Sequence, residues 1–109
     1  MRKTDSLQGS LDLLVLKILL RRPRLHGYAI MTAIQNMSGE VLRVEEGSLY
    51  PALHRLERDK LVSAEWKVTD NKRRARYYKL TPAGRKWLAK AEDNWDSMAK
   101  GVGRVLRFA

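Results

Sequence analysis

Residues 45–60 read EEGSLYPALHRLERDK, and the fold turns on how they are read. Leu49, Ala52, Leu53 and Leu56 recur at i, i+3, i+4 and i+7, the one-sided apolar stripe of an amphipathic helix. At 100° per residue, Gly47, Pro51, His54, Arg55 and Arg58 fall on the opposite side. That face carries two guanidinium groups, an imidazole and small residues, with no acid. A solvated face ordinarily mixes Glu with Lys. This one suits an anion, and a helix of this width fits the major groove of DNA. From this helix alone, a solvated face and a groove reader stand equally open. Pro51 brings a local conflict. Lacking an N–H, it fits best in a first turn, which places the start near Ser48 with Ser48 or Leu49 as cap. The apolar period also tolerates a start at Glu46, at a cost of up to ~3 kcal/mol. Lys60 follows the last turn, where Gly is easier if the backbone turns left-handed.

Working outward, residues 40–44 alternate weakly and suit an irregular connector or a small strand. Before them, a helix over about 27–38 buries Ile30, Ala33, Ile34 and Met37, with Gly39 fitted to a left-handed position at its end. The first helix starts between Leu7 and Ser10, with Ser10 as a cap and Asp12 in the first turn. It carries two apolar stripes, Leu7, Leu11, Leu14, Val15 and Ile18 on one, and Leu13, Leu16 and Leu20 on the other. A surface helix needs one stripe, so a later helix or another subunit covers the second. Pro23 stops this helix.

Downstream, Val62, Ala64, Trp66 and Val68 alternate with polar residues, the pattern of a half-buried strand. Asp70 and Asn71 mark a turn, and residues 75–80 return as the second strand of a hairpin. Thr81 and Pro82 open a last helix as N-cap and first helical residue. It runs to about Leu106, with Trp87, Leu88, Ala91, Trp95, Met98, Val102, Val105 and Leu106 in one continuous stripe. An apolar stripe on so long a helix calls for a second helix alongside. The fold class is therefore mainly α with a small β-hairpin: a winged helix-turn-helix over residues 1–81 and a C-terminal dimerisation helix over 82–109.

Composition narrows the partners. The 109 residues carry 22 basic and 12 acidic side chains, a formal net charge of +10 and a pI near 10.3. Such a charge points to nucleic acid or an anionic surface. The most apolar run, residues 11–20, is short and broken by Asp12 and Lys17, so no membrane partner is expected. The N-terminus lacks the apolar stretch of a signal peptide, and a cytoplasmic protein is the simplest reading. With no Cys there is no disulfide and no thiolate metal site. His26 and His54 have no ligand partners at metal spacing, and the serines lack an elbow motif or base. No metal, no cofactor and no catalytic set is expected; the protein is not read as an enzyme.

The hairpin is the second signal for DNA. From residue 71 to 91 there are eight basic residues and no acid, with Lys72, Arg73, Arg74 and Arg76 clustered at and after the turn. Arginines at phosphates or a narrow minor groove account for this better than solubility does. His26, Gly27 and Tyr28 either place N–H groups and a phenol against a phosphate or form a packed Tyr beside a turn glycine. Tyr50 and Ser48 flank the outer face of the third helix. Trp66 and Trp87 are expected in the core. Trp95 either packs a dimer or walls a slot for an aromatic ligand, with Met98, Leu13 and Leu16 as lining.

Taken together, GSLDLLVLKIL (9–19), LHGYAI (25–30), EEGSLYPALHRLE (45–57) and RRARYYKLTPAGR (73–85) make the chain similar to the PadR family of bacterial transcriptional regulators. The ending after one long helix resembles the short PadR-like subfamily. The resemblance implies a homodimeric winged-helix repressor on double-stranded DNA with an inverted-repeat operator. It implies that the GSLYPAL helix reads the groove, starting ahead of Pro51, and that the basic wing contacts DNA. It assigns dimerisation to the C-terminal helix, through Leu88, Ala91, Trp95, Met98, Val102, Val105 and Leu106. Lys60 departs from the family's usual Gly, which affects only the turn. Some similar regulators hold flat aromatic drugs between Trp residues of the dimer, and Trp95 lies at a matching place. Two other readings stay open: a ligand-independent architectural DNA binder, and a protein-interaction module using the long helix.

Overall fold

A computed structural model describes residues 3–107, with side chains from Ser10 onward. The order is α1 (Lys3–Arg21), β1 (Leu25–His26), α2 (Gly27–Met37), α3 (Glu46–Arg58), β2 (Val62–Val68), β3 (Arg74–Leu80) and α4 (Pro82–Arg107). The strands form one antiparallel sheet in the order β1-β3-β2. The first helix starts at Lys3, so Ser10 lies within it and caps nothing; the place given to Leu7 on its stripe lies outside the described side chains. The β1 strand has no counterpart in the sequence pattern. Its two residues pair with Tyr78 and Tyr77, and two residues are too few to show a period. Residues 40–44 are an irregular connector, entered through Gly39 and Glu40, both left-handed with φ of 63° and 65°.

The core gathers one stripe from each helix and the root of the sheet. Leu11, Val15, Leu16, Ile18 and Leu19 of α1 meet Ile30, Ala33 and Ile34 of α2, and Leu49, Ala52, Leu53 and Leu56 of α3. Val62, Tyr78 and Leu80 close it from the sheet, and Leu88 from α4. The second face of α1 is covered in part by α4 of the same chain, pinned by Lys17 Nζ to Glu92 Oε1 at 2.7 Å: Leu16 is buried, Leu13 borders a cavity and Leu20 stays exposed. Three residues expected inside lie outside. Met37 ends α2 in solvent, Trp87 is 40% exposed, and Trp66 is 57% exposed. Past Ala64 the hairpin outruns the body, so alternation no longer separates an inner face from an outer one.

The helix-four start follows its cap. Thr81 Oγ1 accepts the Gly84 N–H at 2.9 Å. A Cβ on Gly84 would lie 2.1 Å from the Leu61 carbonyl oxygen, so only glycine lets α4 approach the sheet this closely. Beyond Trp95 the helix leaves the body. The radius of gyration is 15.2 Å, against ~13 Å for a compact chain of about this length. Among the described residues, no helix is long and apolar enough to cross a membrane.

Candidate nucleic-acid interface

Helix α3 begins at Glu46, ahead of Ser48, and Pro51 lies inside it. The Glu45 carbonyl accepts from Ser48 and Leu49 at 3.0 and 2.9 Å, which carries the first turn past the local preference of Pro51. That early turn brings Leu49 to complete burial. The bond Pro51 cannot make would have gone to Gly47, which lies on the exposed face where solvent can take its carbonyl. A Cβ on Gly47 would meet nothing within 4 Å, so the chain's own packing does not demand glycine there. Gly47, Pro51, His54 and Arg58 together make a smooth exposed stripe. Arg58 Nε also meets Asp59 Oδ1 at 3.3 Å, at a site that leaves most of its side chain in solvent.

Two arginines expected to face DNA are turned inward instead. Arg55 Nη2 donates to Asp12 Oδ1 of α1 at 3.1 Å, and 27% of the Arg55 side chain is exposed. Burial pushes the Asp12 carboxyl above its ordinary range, while the Arg55 guanidinium pulls it back down. Arg76 Nη2 of β3 donates to Glu57 Oε2 at 2.6 Å, and Arg76 Nε is enclosed without a partner. Arg55 and Glu57 lie on opposite flanks of α3. Each flank is thus tied by an ion pair, one to α1 and one to the wing, while the outer stripe stays clear.

The wing turn is built from Thr69. Its N–H donates to the Arg73 carbonyl at 2.7 Å, its carbonyl accepts from Lys72, and Lys72 adopts φ 59°. Lys72, Arg73 and Arg74 are exposed around this turn. Between wing and α3 lies a cleft of about 680 Å³ bordered by Tyr28, Tyr50, Trp66, Arg73, Arg74 and Arg76. His26 and Gly27 form its floor with distinct tasks. His26 Nδ1 accepts the Ala29 N–H at 3.1 Å, capping α2 and withdrawing that amide from any phosphate. Its ring meets Tyr77 edge-on at 5.3 Å. Gly27 is buried, and a Cβ there would come 2.8 Å from the Tyr50 hydroxyl. Gly27 thus packs against the Tyr50 ring, whereas Tyr28, the ring expected to pack beside it, is 67% exposed.

A second cavity, of about 510 Å³, lies on the other flank of α3. Leu11, Leu13 and Leu14 of α1, Leu42 and Val44 of the connector, Ser48 of α3 and Trp95 of α4 border it. Two residues expected to line a Trp95 slot do not. Leu16 is fully buried in the core, and Met98 lies a turn further out with 51% exposure. Leu88, expected in a dimer seam, is 2% exposed inside its own chain, because α4 is rooted there before it projects. Ala91 is half-buried, and from Trp95 onward the stripe is open, through Met98, Val102, Val105 and Leu106. Sequence reasoning misses Asp12, Glu57 and Trp66 as parts of the site. The two acids are paired only by the tertiary fold, across 43 residues for Asp12 with Arg55 and 19 for Glu57 with Arg76, which periodicity does not report.

Residues 15–90 match the profile of the transcriptional regulator PadR-like family. A transcriptional regulator from Clostridium thermocellum superposes with a TM-score of 0.82 at 27% identity, over 92% of this chain and 96% of that one. A PadR family transcriptional regulator from Eggerthella lenta gives 0.77 at 32% identity, over 94% and 88%. A transcriptional regulator of Mycobacterium tuberculosis is 43% identical over 68 residues, which is 62% of this chain and 63% of that protein. These relatives are regulators of transcription, not enzymes. The winged-helix arrangement agrees with them, and the chain belongs to the PadR-like family of DNA-binding transcriptional regulators.

Proposed function

We propose that the protein is a homodimeric repressor of an inverted-repeat operator, with residues 1–81 as the DNA-binding body and 82–109 as the dimerisation arm. The apolar stripe of α4 carries this reading. Trp95, Met98, Val102, Val105 and Leu106 are 43–72% exposed on a helix that leaves the body. A stripe of this kind is stable in water when a second helix covers it. Two copies would hold two α3 helices at a fixed spacing. Pro51, His54 and Arg58 would then face base edges, with Tyr50 and Ser48 beside them, and Lys72, Arg73, Arg74 and Tyr28 would meet phosphates. Arg55, Arg76, His26 and Gly27 would act from behind, by holding these elements in place.

Release by a small aromatic ligand is part of the same proposal. Trp95 and Leu13 border the 510 Å³ cavity together with the connector that leads into α3. A ligand there would bear on α1, α3 and α4 at once. Footprinting the DNA upstream of the protein's own gene tests the main reading. The expected result is one short protected palindrome whose halves lie about one helical turn apart or a multiple of it. Coverage indifferent to sequence would indicate an architectural binder, and no protection on any DNA would indicate a protein-interaction module.

A further inference from the structure

We propose that Trp66 is a positioning residue for DNA binding, whose indole holds the Arg74 guanidinium ready for a backbone phosphate. Register places Trp66 opposite Arg76, and Val68 opposite Arg74, so all four share one face of the wing. The Arg74 guanidinium carbon lies 5.0 Å from the indole centroid and that of Arg76 lies 6.0 Å away. Arg76 is fixed from behind by Glu57 at 2.6 Å. The four side chains form a row, Glu57, Arg76, Trp66, Arg74, running from the flank of α3 to the base of the wing turn.

Core packing does not explain Trp66, because more than half of it is in solvent. Charge does not require it either, since the wing is already basic. Its place between two guanidiniums does explain it. A cation over an indole is held by the quadrupole of the ring face. The indole face attracts the guanidinium without accepting a hydrogen bond from it through nitrogen or oxygen, so the N–H fork of the arginine remains for phosphate oxygens. An arginine already held in place loses less side-chain freedom when it binds. Trp66 and Arg74 both border the cleft that also takes in Tyr28, Tyr50 and Arg73. The inference rests on the reading that the wing meets DNA, and the test separates the two.

The full-length protein is titrated onto a fluorescently labelled random-sequence duplex, with Trp66→Leu, Trp66→Phe, Arg74→Ala and the double variant Trp66→Leu/Arg74→Ala. Trp66→Leu should weaken binding roughly two- to fivefold, the worth of one exposed cation–π contact. Trp66→Phe, which keeps a ring, should recover most of that loss. In the Arg74→Ala background Trp66→Leu should cost nothing further. If Arg74→Ala leaves affinity unchanged, Arg74 meets no phosphate and this proposal fails; the wing reading fails with it only if Arg73→Ala/Arg74→Ala is silent as well. If Arg74→Ala weakens binding while Trp66→Leu matches the native protein, the wing reading stands and the role of Trp66 is refuted. That role is equally refuted if Leu and Phe behave alike, or if Trp66→Leu costs as much in the double variant as alone, as a general loss of fold would.

Discussion

The Arg55 guanidinium donates to the Asp12 carboxylate at 3.1 Å across the α1–α3 boundary. This contact removes from the DNA face the arginine that the helix period places there, and it fixes the roll of α3 about its own axis. The Glu57–Arg76 pair does the same from the opposite flank, with the charges reversed. An α3 held on both sides can present Pro51, His54 and Arg58 at one angle.

Arg55→Ala should therefore act through stability. It leaves a largely buried carboxylate without its cation, at a cost of about 1–3 kcal/mol, below the figure for a fully buried pair. Affinity per folded molecule should change equally on operator and random DNA; a loss confined to the operator would return Arg55 to base reading. The pH dependence has a definite sign. Burial raises the folded-state pKa of Asp12 above 3.8 despite Arg55. Its contribution to stability is then full below 3.8 and declines as pH rises through the higher folded value. In urea melts, the stability of the native protein relative to Asp12→Asn should fall over that acid window and then level off. A difference that grows with pH would mean Arg55 outweighs burial.

Helix and wing should separate in their dependence on sequence and salt. His54→Ala on the outer stripe should cost about 1–3 kcal/mol on the operator if it reads a base edge, with little effect on random DNA. Arg73→Ala with Arg74→Ala should weaken both DNAs and lower the log–log salt slope by about 0.9 per lost phosphate contact. Filter binding across a salt series distinguishes them, and an unchanged slope in the wing double variant would remove the wing from the phosphates.

Much of this is legible in the sequence, and what is not has identifiable causes. Periodicity finds the three body helices and the hairpin because each buries one face. It places Trp66 inside because alternation says which residues share a face, not whether anything covers it. It places Arg55 outside because a helical wheel does not know that Asp12 is next door. Burial of Leu49 settles Pro51 against a local preference. Lys60 occupies a strained place for a side chain, as its position after the last turn suggests: its φ is 61°. Lys60→Gly should therefore raise the unfolding free energy by about 0.5–1 kcal/mol, seen as a higher urea midpoint, once the entropy of glycine in the unfolded chain is set against relief of the left-handed strain. A lower midpoint would mean the lysine side chain itself contributes to the turn.

The proposed dimer should fail at Met98. Met98→Asp would bury a charge in the seam, costing several kcal/mol if unpaired, and Leu88 keeps α4 rooted in the body. Sedimentation should show a folded monomer, and operator binding should collapse while helix content stays. A Met98→Asp protein that remains dimeric would place the seam elsewhere on the stripe.

The cavity beside Trp95 yields the last prediction. Its α1 and connector sides carry Leu13, Leu14, Leu42 and Val44, interrupted by Ser10, Arg43 and Glu45, with a half-exposed indole across from them. The aliphatic patches and the indole suit a flat compound with a largely apolar body, and Ser10, Glu45 and Ser48 can meet a polar edge. A delocalised cation adds attraction to the indole face. Planar cationic dyes should quench Trp fluorescence at micromolar concentration. Trp95→Ala should abolish that quenching while leaving DNA binding in place, because Pro51, His54, Arg58 and the wing arginines all lie outside the cavity that Trp95 borders. Leu16 is enclosed in the core and Met98 lies beyond the cavity, so Met98→Leu should leave quenching unaltered and Leu14→Gln should weaken it. Trp66 and Trp87 are also exposed, and quenching that survives Trp95→Ala would assign the signal to one of them and leave Trp95 as a packing residue of the arm.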